Sequence, residues 1–107
     1  MDFNIAVNRS LQIRKVYHQL EKKYHGSEWE VDEDALAFLT DAALVGRLAM
    51  AHQERWPSGT DSEADLEHKI AECFWWLMVL GERMGIDSEQ ALEKFLKKKE
   101  EQFLDFT

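Results

Sequence analysis

Apolar residues recur at three- and four-residue spacing in four blocks, a pattern that predicts four helices and no strand. In the first block, from about Ile5 to Tyr24, the side chains of Ile13, Val16, Tyr17, Leu20 and Tyr24 fall on one face. Gly26 follows as a helix terminator. Ser27 to Val31 reads as a connector. Asp32 is the expected N-cap of the second helix, with Val31 and Leu36 as its hydrophobic staple. The second block, about Glu33 to Arg55, is interrupted between Ala35 and Ala51 only by Thr40, Asp41, Gly46 and Arg47. A helix apolar on nearly every side belongs at the centre of a bundle or inside a dimer. Trp56-Pro57-Ser58-Gly59 breaks it, and Thr60 with Glu63 forms a capping box for a third helix from about Asp61 to Met84. Its expected seam is Leu66, Ile70, Cys73, Leu77, Leu80 and Met84, with Phe74, Trp75, Trp76, Met78 and Val79 covering the other sides. Gly85 ends it. Asp87 with Gln90 caps a fourth helix, about Ser88 to Phe103, whose Leu92, Phe95, Leu96 and Phe103 are expected inward. Lys94, Lys97, Lys98 and Lys99 are expected to face water.

Two central helices joined by a short connector predict an antiparallel pair, flanked by the first and fourth. The expectation is an all-α, four-helix bundle-like fold forming one domain over residues 1–107. Both central helices are too apolar for one small bundle to cover, so a second copy of the chain is the expected partner, meeting it through Trp75 or Trp76. The net charge of −8 disfavours a nucleic-acid polymer as partner. The single cysteine excludes an internal disulfide framework. No signal-like apolar run opens the chain, and the longest, Cys73 to Leu80, is too short to span a bilayer. A soluble, cytoplasmic protein without a membrane partner is expected.

Two carboxylates stand within apolar stretches: Asp41 and Glu72. An unpaired buried charge is costly, so each needs a counter-charge, a metal ion, or the other as a dyad partner. Lys69 and Arg47 are the available cations. If the hairpin is symmetric about Pro57 to Thr60, Arg47 lies level with Glu72 and an ion pair between them is expected. Asp41 has no such mate, and a contact with solvent or with a first-helix donor such as Arg14 or His18 is expected. His68 and Glu72, at i and i+4, can face one metal site. His52, near the end of the second helix, reads as a dipole partner, and Cys73 as an inert core thiol. No glycine-rich phosphate loop, Cys-x-x-Cys pair or G-x-S-x-G turn is present.

The run Ile70-Ala71-Glu72-Cys73-Phe74-Trp75-Trp76-Leu77, continued to Gly85-Ile86-Asp87 and followed by Ala91-Leu92-Glu93-Lys94, resembles the MazG-type nucleoside triphosphate pyrophosphohydrolases. That family carries E-L-A-D-V-L-W-W-L, then G-I-D and an A-L-x-x-K helix. The resemblance covers about residues 10 to 103 and implies a dimeric all-α fold. It also implies magnesium-dependent cleavage of a nucleotide substrate to a monophosphate and pyrophosphate. The family's E-E-x-x-E and E-x-x-D motifs hold that magnesium. Here Thr40, Asp41 and Leu44 fall on the first motif, and Lys69 and Glu72 on the second. Five carboxylates become two, Asp41 and Glu72, and a cation joins them. A shifted register would bring in Glu63, Asp65 or Glu67. Magnesium wants oxygen ligands, so this alignment implies weak or absent metal binding, with Lys69 neutralising the site or facing phosphate. It leaves either a feeble hydrolase or a non-catalytic dimeric binding or regulatory protein. Lys94, Lys97, Lys98 and Lys99 lie where the family has a phosphate-facing helix.

Overall fold

The computed structural model describes residues 1–56 and 63–104. These form four helices and no strand: α1 (Phe3–His25), α2 (Val31–His52), α3 (Glu63–Arg83) and α4 (Ser88–Gln102). The all-α class therefore stands. The Pro57–Gly59 breaker and the Thr60 half of the expected capping box lie outside the described residues.

Each visible helix end has a local cause. The Asp2 side chain accepts from the Ile5 amide at 2.9 Å and starts α1. Gly26, at φ 80°, ends α1 by donating to the Lys22 carbonyl. The second helix starts two residues before the expected Glu33. Glu30, not Asp32, is its N-cap, and the Glu30 amide donates to the Glu33 carboxylate at 3.0 Å. Asp32, Glu33 and Asp34 then fill the first turn, where acidic charge complements the helix dipole. Gly85, at φ 72°, turns the chain after α3, and the Ile86 amide returns to the Gly81 carbonyl at 2.8 Å. Asp87 caps α4 by accepting from the Gln90 amide at 3.0 Å.

The pairs Asp34–Arg83, Asp41–Lys69 and His52–Glu63 show that α2 and α3 run antiparallel. α1 lies on a different side of α3. The Trp75 indole donates to the Ser10 carbonyl at 3.2 Å, and Tyr17 meets Trp75 edge-on at 5.8 Å. α4 packs on α3, where a Cβ on Gly81 would collide with the Ser88 hydroxyl. Only α3 is central, because it contacts all three other helices.

The expected seams do not match what is buried. On α3 the enclosed apolar residues are Trp76, Val79 and Leu80, and of the expected seam only Leu80 is among them. Ile70, Leu77 and Met84 stay substantially exposed. α1 buries Ser10 and Arg14, while Ile13, Val16, Tyr17, Leu20 and Tyr24 are exposed. α4 buries nothing, and its Leu92, Phe95, Leu96 and Phe103 are exposed. α2 buries only Asp34. It is also, among the described residues, the one helix long and apolar enough by length and composition to cross a membrane. The helices thus have apolar faces, as the pattern requires, but the described residues of the chain cover few of them.

Candidate functional site

α2 and α3 bring Asp41, Lys69 and Glu72 together. Lys69 and Glu72 stand three residues apart on α3, one turn of the same face. The Lys69 ammonium donates to Asp41 Oδ1 at 3.1 Å and to Glu72 Oε1 at 2.9 Å. The second Asp41 oxygen accepts from the Trp76 indole at 2.9 Å. Both oxygens of Asp41 are therefore held by fixed donors. The hydrogen bonds to Glu72 and Asp41 raise the Lys69 pKa above its ordinary value, against a smaller opposing effect of burial. Thr40 turns its hydroxyl back to the Leu36 carbonyl at 3.0 Å, and Leu44 offers no ligand atom.

The other expected partners lie elsewhere. Arg47 does not reach Glu72. Its guanidinium sits 4.9 Å over the Trp56 ring. The Asp41–Lys69 and His52–Glu63 pairs put Arg47 level with the α3 stretch between Glu63 and Lys69, short of Glu72. Arg14 and His18 do not reach Asp41 either. His68 comes within 3.8 Å of Glu72 but is largely exposed. Glu63 approaches His52 at 3.8 Å, at the far end of the hairpin. Lys94 is exposed on α4 and makes no hydrogen bond or ion pair with this cluster. Burial, with the nearby Asp41 and Glu72 charges, pushes the Cys73 thiol pKa up, so it stays a protonated, weak nucleophile.

A second cluster was missed in the sequence. Arg14 is 3% exposed and Asp34 0%. Arg14 Nη2 donates to Asp34 Oδ1 at 2.7 Å, and Nη1 to Glu21 Oε2 at 2.7 Å. Arg83 donates from the opposite side to Asp34 Oδ2 at 2.8 Å and to the Trp29 carbonyl at 3.0 Å. The Trp29 amide donates in turn to Glu21 at 2.8 Å. This network ties α1, the connector, α2 and α3 at one point. The only signal for it was polar: Ser10, Arg14 and Glu21 share the face of α1 that also carries Tyr17.

Removing the cation at the first cluster gives a defined result. Lys69→Ala is expected to cost about 1–2 kcal/mol at neutral pH, less than for a fully buried pair because solvent reaches all three side chains. The wild-type contribution is fully present below the ordinary lysine pKa of 10.5 and is lost as pH rises through the raised folded value. Thermal melts across pH check this; an unchanged neutral melt would mean that Lys69 contributes nothing there.

No family model matches the chain, no curated protein matches it in sequence, and no solved structure matches it in fold.

Proposed function

We propose that this chain is a MazG-like all-α protein in which Lys69 stands where a magnesium ion would, and that it works as a non-catalytic, self-associating binding module. One observation carries the reading: the Lys69 ammonium lies within hydrogen-bond distance of both Asp41 and Glu72. A magnesium ion there would need several free oxygens. Asp41 has none that is not already a hydrogen-bond acceptor, and Thr40 is bonded to its own helix. Among the described residues no three His, Cys, Asp or Glu side chains gather to hold a metal. The side chains present do not fit the ion, so no step of nucleotide hydrolysis is derived through it.

Self-association has separate support. A protomer enclosing so few apolar side chains leaves most of its hydrophobic faces to another surface. The wild type is expected to run at about twice 12.6 kDa in light scattering.

The test of the site is twofold. Calorimetry with magnesium should show no binding heat, and a panel of standard and modified nucleoside triphosphates should release no pyrophosphate. Leu44→Glu combined with Lys69→Glu should then create measurable magnesium affinity, because it adds two anionic ligands and removes the competing cation. Brisk pyrophosphate release by the wild type, abolished by Asp41→Asn or Glu72→Gln, would overturn this reading in favour of a magnesium-dependent pyrophosphohydrolase.

A further inference from the structure

We propose that the cleft between α1 and α3 binds a small quaternary ammonium compound; this stands independently of the MazG-like reading. The cleft encloses about 410 Å³, within the range of small-molecule sites. Its lining is aromatic: Tyr17 and Tyr24 from α1, Trp29 from the connector, and Trp75 and Trp76 from α3. The rings are not stacked flat. Tyr17 and Trp75 meet at 63°, and Trp75 and Trp76 at 64° with centroids 4.7 Å apart. Steeply inclined rings present their electron-rich faces from several directions, the arrangement that receives an alkylated cation.

Two rings of the cleft already attract cations. The Arg14 guanidinium lies 5.7 Å over Trp76, and the Lys23 ammonium 5.4 Å over Tyr24. The charged lining is Glu21, Glu72 and Arg14, with the Arg14 guanidinium already on the Trp76 face, so the faces left to a ligand are those of Tyr17, Tyr24, Trp29 and Trp75. Both Glu21 oxygens are engaged, by Arg14, the Trp29 amide and His18, and Glu72 Oε1 is engaged by Lys69. That feature selects among cations. At Glu21 a primary ammonium would have to displace Arg14 to satisfy its N–H groups, whereas a quaternary nitrogen has none and needs only the ring faces. An anion would have to compete with these carboxylates for the same two cations, on a chain of net charge −8. The apolar groove on α3 that is left for self-association, around Ile70, Phe74 and Leu77, is separate from this cleft.

The experiment titrates the intact chain with choline chloride, followed by calorimetry and tryptophan fluorescence, against sodium chloride at the same ionic strength. Its neutral isostere 3,3-dimethylbutan-1-ol and methylammonium chloride are run in parallel. Choline is expected to bind saturably and at least about tenfold tighter than either comparator. Trp75→Leu should abolish the signal. Tyr24→Ala, at a ring 68% exposed and therefore safe for the fold, should weaken binding several-fold. Trp56→Phe, at the end of the hairpin away from the cleft, should leave it unchanged. Choline that fails to saturate, an isostere that binds equally well, or saturable binding indifferent to both Trp75→Leu and Tyr24→Ala would each overturn the proposal.

Discussion

Asp34→Asn is expected to destabilise the protein by about 3–5 kcal/mol, a large share of the stability of a chain this size. The substitution keeps the shape and removes the charge. Asp34 is fully buried and accepts from Arg14 on one side and from Arg83 on the other. Without that charge, Arg14 keeps only Glu21 as an ionic partner and Arg83 keeps only the Trp29 carbonyl. Urea unfolding at neutral pH measures the loss. Asp34→Leu with Arg14→Met should recover only part of it, because apolar replacement suits the buried pair but leaves Glu21 without Arg14 and Arg83 without Asp34. The same network makes the wild type acid-sensitive. Burial alone would raise the Glu21 pKa, but the hydrogen bonds from Arg14 and the Trp29 amide overcome it and hold the carboxyl below its ordinary 4.5. A depressed carboxyl contributes stability above its unfolded value, and that contribution is lost as pH falls through the folded value. Wild-type stability should therefore fall below about pH 4.5. Glu21→Gln should flatten that fall, and an equal acid slope in both proteins would remove Glu21 from the explanation.

The contrast between Asp34 and Asp41 shows where sequence reasoning reached and where it stopped. Helix number, order and most ends were legible because their causes are local: Gly26 and Gly85 at positive φ, Asp87 three residues before Gln90. The start of α2 was placed late because Glu30–Glu33 and Asp32 both offer capping chemistry within three residues, and the earlier pair wins. Asp41 stood out because its neighbours are apolar, and its bond to Lys69 spans one helical hairpin. Asp34 sits among Asp32 and Glu33, where an acidic first turn is the ordinary solvated arrangement. Its partners are 20 and 49 residues away, so no window of sequence contains them. The inward face of α3 was also misassigned. Leu66–Ile70–Cys73–Leu77 and Trp76–Val79–Leu80 are both apolar at helical spacing, and periodicity alone does not say which of two apolar faces a protomer covers. The structure covers the tryptophan side and leaves the other open.

That open side sets the last expectation: Phe74→Glu should convert a dimer into monomers. Phe38, Ala42 and Val45 of α2 and Ile70, Cys73, Phe74 and Leu77 of α3 line a groove of about 280 Å³ without one charged side chain. Phe74 is 61% exposed at its edge, and Leu39, on the neighbouring α2 surface, is 62% exposed. A second copy is the occupant argued for, because the face is uncharged and the protomer's own α1 and α4 are already placed against other sides of α3. In a two-fold interface each residue lies near its symmetry mate or the mate's neighbours, so a single Glu enters the contact twice. It removes an aromatic anchor from each copy and desolvates two like charges, which together cost several kcal/mol. Light scattering should then give a mass near 12.6 kDa for the variant. The wild-type melting temperature should rise with protein concentration, because association stabilises only the folded chain. A wild type already at 12.6 kDa at micromolar concentration would overturn the dimer. Flotation of the wild type with lipid vesicles, lost in Phe74→Glu, would assign the same face to a bilayer instead. The variant should also melt at lower temperature than the wild type, since three buried apolar side chains, Trp76, Val79 and Leu80, are the whole enclosed hydrophobic core among the described residues of one protomer.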